Sequence, residues 1–197
     1  MSSTNRGSSR DFHISDYYVT PPKAIRDFWV KFIRIDDEID LDDIKILDCC
    51  AGGLEKDGVL IEQMSYPLVL KESGLDCDTI DIREDSAAQI KGNYLELDCK
   101  NKYDLIITNP PFNYAQEIIS KAIDDVQERG YVIMLLRLNF WESKKRRSFF
   151  AANMPYYSFI HSERMSFTSD GKTDSVAYMH LVWIKGQKPD YCQTYLI

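Results

Sequence analysis

The sequence predicts an α/β protein built on a doubly wound, mostly parallel sheet, and three observations carry that reading. Asp104 to Thr108 and Tyr131 to Leu138 are apolar almost without a break, the pattern of strands covered on both faces. Between them Ala115, Ile118, Ile119, Ala122, Ile123 and Val126 recur at helical spacing over 114–128, and Gly130 ends the segment. An earlier strand, Ile44 to Cys49, runs into a turn of small residues before the chain moves on. Strand and helix therefore alternate, and alternation in one sheet makes the strands parallel.

Length and composition bound the rest. The chain has 197 residues, enough for one domain with a real core. Residues 1–12 are rich in Ser, Gly and Arg and read as a flexible tail, leaving 13–197 as a single domain. With 44% apolar residues and no apolar run of about 18 residues, nothing suggests a membrane span. The N-terminus lacks the apolar core of a signal peptide, so a cytoplasmic location is expected. The cysteines at 49, 50, 77, 99 and 192 show no C-x-x-C spacing and no histidine partners, which predicts reduced core thiols and no metal site. A net charge of -7 argues against a protein that coats nucleic acid, since non-specific affinity rests on phosphate neutralisation. A local basic patch is still allowed.

In chain order, Thr20 reads as the N-cap of a helix over Lys23 to Phe32, with Pro21 or Pro22 in its first turn, where a missing N–H costs nothing. Ile25, Phe28, Trp29 and Phe32 give that helix one apolar face. The strand Ile44 to Cys49 leads into Asp48-Cys49-Cys50-Ala51-Gly52-Gly53-Leu54, a turn that lets backbone approach a ligand closely. Glu55 to Gly74, with Gly58 and Pro67 inside it, reads as more irregular than a standard first helix. Asp76 to Ile82 is a second strand ending in Asp81, whose carboxylate can accept from both hydroxyls of a ribose.

The segment 103–112 organises the chain. Two prolines after Thr108 forbid further ladder pairing, so Asn109 is held extended at the carboxyl end of a buried strand, where such sheets bind ligands. The Asn109 side-chain oxygen and the Pro110 carbonyl can together accept both hydrogens of one amino group, and the Phe112 ring offers a stacking face. The result is a pocket for an exocyclic amine. Further on, Arg137-Leu138-Asn139-Phe140-Trp141 follows a strand on the same edge, and Ser143 to Phe150 looks like a helix start carrying the cations Lys144, Lys145, Arg146 and Arg147. Tyr156 to Ile160 and Ser175 to Ile184 supply two strands around a polar loop, 164–174.

Asn109-Pro110-Pro111-Phe112 resembles the (Asp/Asn)-Pro-Pro-(Tyr/Phe) motif of amino-group methyltransferases that use S-adenosylmethionine (SAM), above all the N6-adenine DNA methyltransferases, many of them phage-encoded. Other stretches of the chain resemble the same family. Tyr18-Val19-Thr20-Pro21-Pro22 is similar to its N-terminal cofactor segment, and Asp48 to Gly53 to its glycine loop, although Cys49 stands in place of a proline and Leu54 in place of the second glycine. Gly92-Asn93-Tyr94-Leu95 resembles its third-strand motif, and Arg164 to Asp174, with Gly171 and Lys172, a loop of its phage members.

The resemblance covers residues 16 to about 185 and implies a Rossmann-like SAM-dependent methyltransferase fold with a C-terminal antiparallel strand. It implies SAM as cofactor, held by Tyr18, Thr20, Pro21, Asp48, Cys50, Ala51, Gly52, Gly53, Asp81, Ile82, Asn93, Tyr94 and Asn109. It makes Asn109, Pro110, Pro111 and Phe112 the catalytic motif and DNA with a flipped adenine the partner. Arg137, Asn139, Trp141, the basic run 144–147, Arg164 and Lys172 are then expected to meet the DNA, with a homodimer or a separate subunit supplying specificity. The same pocket also fits an RNA adenine or protein-glutamine methyltransferase, or a cofactor-binding regulator without turnover.

Overall fold

A computed structural model describes residues 18–167 and 173–197. The tail expected over 1–12 and the loop segment 168–172, with Lys172, lie outside the described residues. In chain order the elements are α1 (Pro22–Ile35), β1 (Ile46–Asp48), β2 (Leu54–Lys56), β3 (Val59–Glu62), α2 (Ser65–Glu72), β4 (Cys77–Asp81) and β5 (Ile90–Lys91). There follow β6 (Leu105–Thr108), α3 (Ala115–Asp125), β7 (Tyr131–Arg137), α4 (Arg147–Ala152), β8 (Tyr157–Ile160), β9 (Tyr178–Ile184) and β10 (Gln193–Leu196).

One sheet runs in the order β10-β8-β9-β7-β6-β1-β4-β5. Strands β5, β4, β1, β6 and β7 are parallel, and β9 pairs antiparallel with both β7 and β8. Leu105, Ile106 and Ile107 of β6 are wholly buried because helices cover both faces of the sheet. On one face Leu105 and Ile107 pack with Ile25, Phe28 and Phe32 of α1 and Val69 and Leu70 of α2. On the other, Ile106 packs with Ile118, Ile119 and Ala122 of α3 and Phe149 and Phe150 of α4. The doubly wound reading therefore holds.

Several local expectations are corrected. The N-cap position of α1 is Pro21, with no side-chain cap, and the Thr20 hydroxyl is engaged elsewhere. By contrast, the segment after the glycine loop is irregular as expected: it is a hairpin, β2–β3, followed by the short helix α2. The third-strand motif falls past its strand. Pairing with β4 is made by Ile90 and Lys91, while Tyr94–Glu96 forms a 3-10 turn capped by the Asn93 side chain, which accepts from Leu95 N at 3.1 Å. The basic run is a 3-10 turn, Lys144–Arg146, and the α-helix starts only at Arg147. Strand β10, which no sequence pattern marked, extends the sheet parallel to β8.

Candidate active site

The chain winds from β1 outward through β4 to β5, then crosses back to β6 on the other side of β1. That reversal places the carboxyl ends of β1 and β6 side by side with a crevice above them, where open α/β sheets bind ligands. A cleft of about 660 Å³ opens there. It is lined by the β1 loop from Asp48 to Gly53, by Asp81 and Ile82 at the end of β4, by Asn93 and Tyr94, by Tyr18 and Thr20, and by Asn109 to Tyr114. Of the residues proposed for the cofactor, only Pro21 does not line it.

The β1 loop is tied to β4 by its own backbone. Ala51 N donates to Ile80 O at 2.9 Å, and Gly52 N donates to the buried Asp81 Oδ2 at 2.8 Å. Gly52 and Gly53 have φ of 68° and 70°, a left-handed conformation that costs glycine little. A Cβ on Gly53 would lie 2.8 Å from Met64 Cγ and 2.9 Å from Ala87 Cβ. The Asp81 Oδ1 atom accepts from Arg83 N at 2.8 Å, so both carboxylate oxygens already hold a backbone donor. A carboxylate offers about four acceptor positions, which leaves two for ribose hydroxyls. Arg83 completes the clamp, since its guanidinium donates to Gly53 O at 2.5 Å and to Asp85 at 3.1 Å. Sequence reading missed Arg83, although its place two residues after the strand-ending acid was a usable signal.

At the end of β6 the amide of Asn109 is held in one orientation. Its Nδ2 donates to Thr20 Oγ1 at 3.1 Å, and its Oδ1 is buried with no partner among the described residues. Pro111 O accepts from Tyr114 N at 3.0 Å and closes the turn before α3, while among the described residues the Pro110 carbonyl joins no ladder or turn bond. A buried acceptor left open costs roughly 1–3 kcal/mol, so the geometry favours a ligand that brings a donor. Next to it, Asp48 Oδ1 accepts from Thr108 Oγ1 at 2.6 Å and from Cys50 N at 3.2 Å, and Asp48 Oδ2 has no partner among the described residues. Burial pushes the Asp48 carboxyl up to about 7, against the pull of the Thr108 and Cys50 hydrogen bonds.

Ser65 and Tyr66 of α2 also line the cleft and were not anticipated. Tyr66 OH shares a hydrogen bond of 2.9 Å with His180 Nε2, and His180 Nδ1 shares one of 2.8 Å with His161 Nε2. Burial lowers both imidazoles, His161 to about 4 and His180 well below its ordinary value. These two groups and Asp48 oppose each other in acid. Between about pH 6.5 and 4 each histidine takes up a proton only on unfolding, which lowers stability as the pH decreases, whereas folded Asp48 keeps a proton that the unfolded chain releases, which raises it. The Asp48→Asn variant loses the compensating term, so its stability should drop more steeply than wild type, by about 1.4 kcal/mol per pH unit in that window. Urea midpoints measured from pH 7 to 4 on both proteins check this, and parallel curves would contradict it.

The residues expected to meet nucleic acid are dispersed. Arg137 lies with its guanidinium carbon 4.4 Å from the centre of the Phe112 ring. Trp141 stacks on Phe150 at 4.3 Å and donates to Met179 Sδ, so it belongs to the core between β9 and α4. Arg146 donates to Phe140 O at 2.7 Å and covers the Phe140 ring, which removes it from the surface patch. Lys144, Lys145 and Arg147 are exposed, as is Asn139. Arg164 donates to Ser175 O at 2.6 Å and helps close the polar loop.

No protein-family model matches the chain, and no curated protein does. Solved structures do match. A candidate class I SAM-dependent methyltransferase from Listeria monocytogenes superposes with a TM-score of 0.57 at 11% identity, covering 91% of this chain and 65% of the other, so the chain spans about two thirds of that protein. A candidate RNA methyltransferase from Pyrococcus horikoshii gives 0.57 at 15% identity, covering 86% and 87%. A SAM-dependent O-methyltransferase from Thermotoga maritima gives 0.56 at 13%, covering 88% and 69%. The fold is the Rossmann-like fold of class I SAM-dependent methyltransferases. The names of these neighbours point to different acceptors, so the likeness leaves the acceptor of this chain to its own residues.

Proposed function

We propose that the protein transfers a methyl group from SAM to the N6 amino group of adenine in DNA. The observation that carries this reading is the Asn109 amide, fixed by Thr20 with its oxygen buried and unpartnered beside the unladdered Pro110 carbonyl. Two open acceptors on adjacent residues suit the two hydrogens of an exocyclic amine.

The cleft suits SAM on the same grounds. Its volume of about 660 Å³ lies within the range of small-ligand sites, roughly 300–1,000 Å³. The left-handed turn at Gly52 and Gly53, the acid Asp81 and the exposed side chain of Ile82 line its cofactor end. When bound, SAM would supply a methyl group on a cationic sulfur: the amine nitrogen would bond the methyl carbon as the carbon–sulfur bond breaks, and would then give up one N–H proton to solvent. Asn109 and Pro110 hold both amine hydrogens, which turns the nitrogen lone pair out of the ring plane and fixes its direction of approach. Phe112 carries the ring. A paired adenine cannot reach the end of a buried strand, so the base leaves the duplex at a cost of a few kcal/mol.

Tritiated methyl transfer to DNA, RNA and protein tests the acceptor. Label in DNA is the expected result. Label confined to RNA or protein would replace the substrate, and SAM binding with no label anywhere would make the chain a regulator. The basic run gives a second measurement. If Lys144 and Lys145 meet phosphates, changing both to Gln lowers the log-log salt slope of DNA binding by about two units. Arg146→Gln leaves that slope unchanged because Arg146 is spent on Phe140. An unaltered slope in the double variant would return the run to a solvated face.

A further inference from the structure

One face of the Phe112 ring is covered by the chain itself, and that face is the one considered for the base. The Arg137 guanidinium, at the carboxyl end of β7, lies 4.4 Å from the centre of the Phe112 ring. A chain of aromatic rings runs on from it, with Tyr178 centred 6.1 Å from Phe112, Phe167 4.7 Å from Tyr178, and Tyr18 6.1 Å from Phe167. A guanidinium is planar, delocalised and stacks on aromatic faces as a base does. Its polar tethers are weak. Arg137 Nε is 3.4 Å from Tyr178 OH and its nearest Asp174 oxygen is 3.8 Å away, while that same oxygen accepts a 2.7 Å bond from Tyr178 OH. Both tethers are longer than the 2.7 Å bond from Tyr178 to Asp174, so the ring contact is the close one.

We propose that Arg137 gates the base subsite: stacked on Phe112 in the empty protein, it leaves when a base enters and pairs with a phosphate of that nucleotide. The proposal rests on the reading above that an adenine ring stacks on Phe112. It adds a rule of selection. Displacing Arg137 strips a cation of its aromatic partner, and only a substrate that carries a backbone phosphate gives it a new one. Free adenosine offers no phosphate, so the gate excludes it while admitting the same base within a strand.

The test compares steady-state methyl transfer to 2′-deoxyadenosine and to a single-stranded oligonucleotide with one adenine. A single strand removes the cost of extrusion, so the two substrates differ mainly in phosphate. With Arg137→Ala, the KM for deoxyadenosine should fall several-fold because the ring is uncovered, and the KM for the oligonucleotide should rise roughly ten-fold or more from the lost phosphate contact. Arg137→Met, which still covers Phe112 but cannot pair a phosphate, should weaken the oligonucleotide without improving deoxyadenosine. Equal changes for both substrates, or an unimproved KM for deoxyadenosine in the alanine variant, would overturn the gate. If the wild type transfers to no nucleic acid, the functional reading fails first and takes the gate with it. If it transfers normally and the ratio of KM values does not move, only the gate fails.

Discussion

Replacing Asn109 by alanine leaves SAM binding nearly intact and all but stops methyl transfer. The Asn109 Oδ1 acceptor is buried, unpartnered and aimed by the bond from Nδ2 to Thr20 Oγ1, so it does little for the empty protein. On the proposed reading its contact is with the reacting amine, where loss of one preorganised group costs on the order of 10²–10³ in kcat. Thr20→Val should give a smaller loss of about ten-fold, because the amide remains but is free to turn. Single-turnover kinetics with calorimetry on the same samples separates the effects. An Asn109→Ala enzyme that methylates at near the wild-type rate would show that the amine binds elsewhere.

Asp81→Ala has the second largest expected effect, and it falls on binding and stability together. The carboxylate is buried and holds Gly52 N and Arg83 N, so its removal leaves two backbone donors without their acceptor and takes one of two carboxylates, Asp81 and Asp85, from the Arg83 guanidinium. Breaking such a buried pair by truncating one partner costs about 3–5 kcal/mol. SAM affinity should fall at least ten- to a hundred-fold, as expected for the loss of a charged acceptor worth roughly 1.5–3 kcal/mol. Asp81→Asn keeps the size of the group and should recover part of the stability while SAM binding stays weak. Unchanged SAM affinity in Asp81→Asn would move the ribose contact to another residue.

What the sequence discloses depends on whether a residue's partner is near in the chain. Ile106 and Val132 sit in unbroken apolar runs, and the stripe on α3 repeats every turn, so burial follows from pattern alone. Asn109 was legible because two prolines fix its backbone whatever surrounds it. Thr20 misled, since local rules assign its hydroxyl to the helix that follows, whereas its partner is Asn109, 89 residues away. Arg146 looked like surface charge for a different reason: a run of four cations does not mark which one turns back, here onto Phe140 O six residues earlier. The β2–β3 hairpin escaped notice because Val59, Leu60 and Ile61 are consecutive, apolar and 52–59% exposed, and so show no alternation to mark a strand.

The measurement closest to the central claim is nucleoside mass spectrometry of DNA incubated with the protein and methyl-labelled SAM, with the Asn109→Ala variant as control. The account predicts N6-methyldeoxyadenosine carrying the label in the wild-type digest and none in the control. Label on another base, on RNA or protein alone, or equal label with Asn109→Ala, would contradict it.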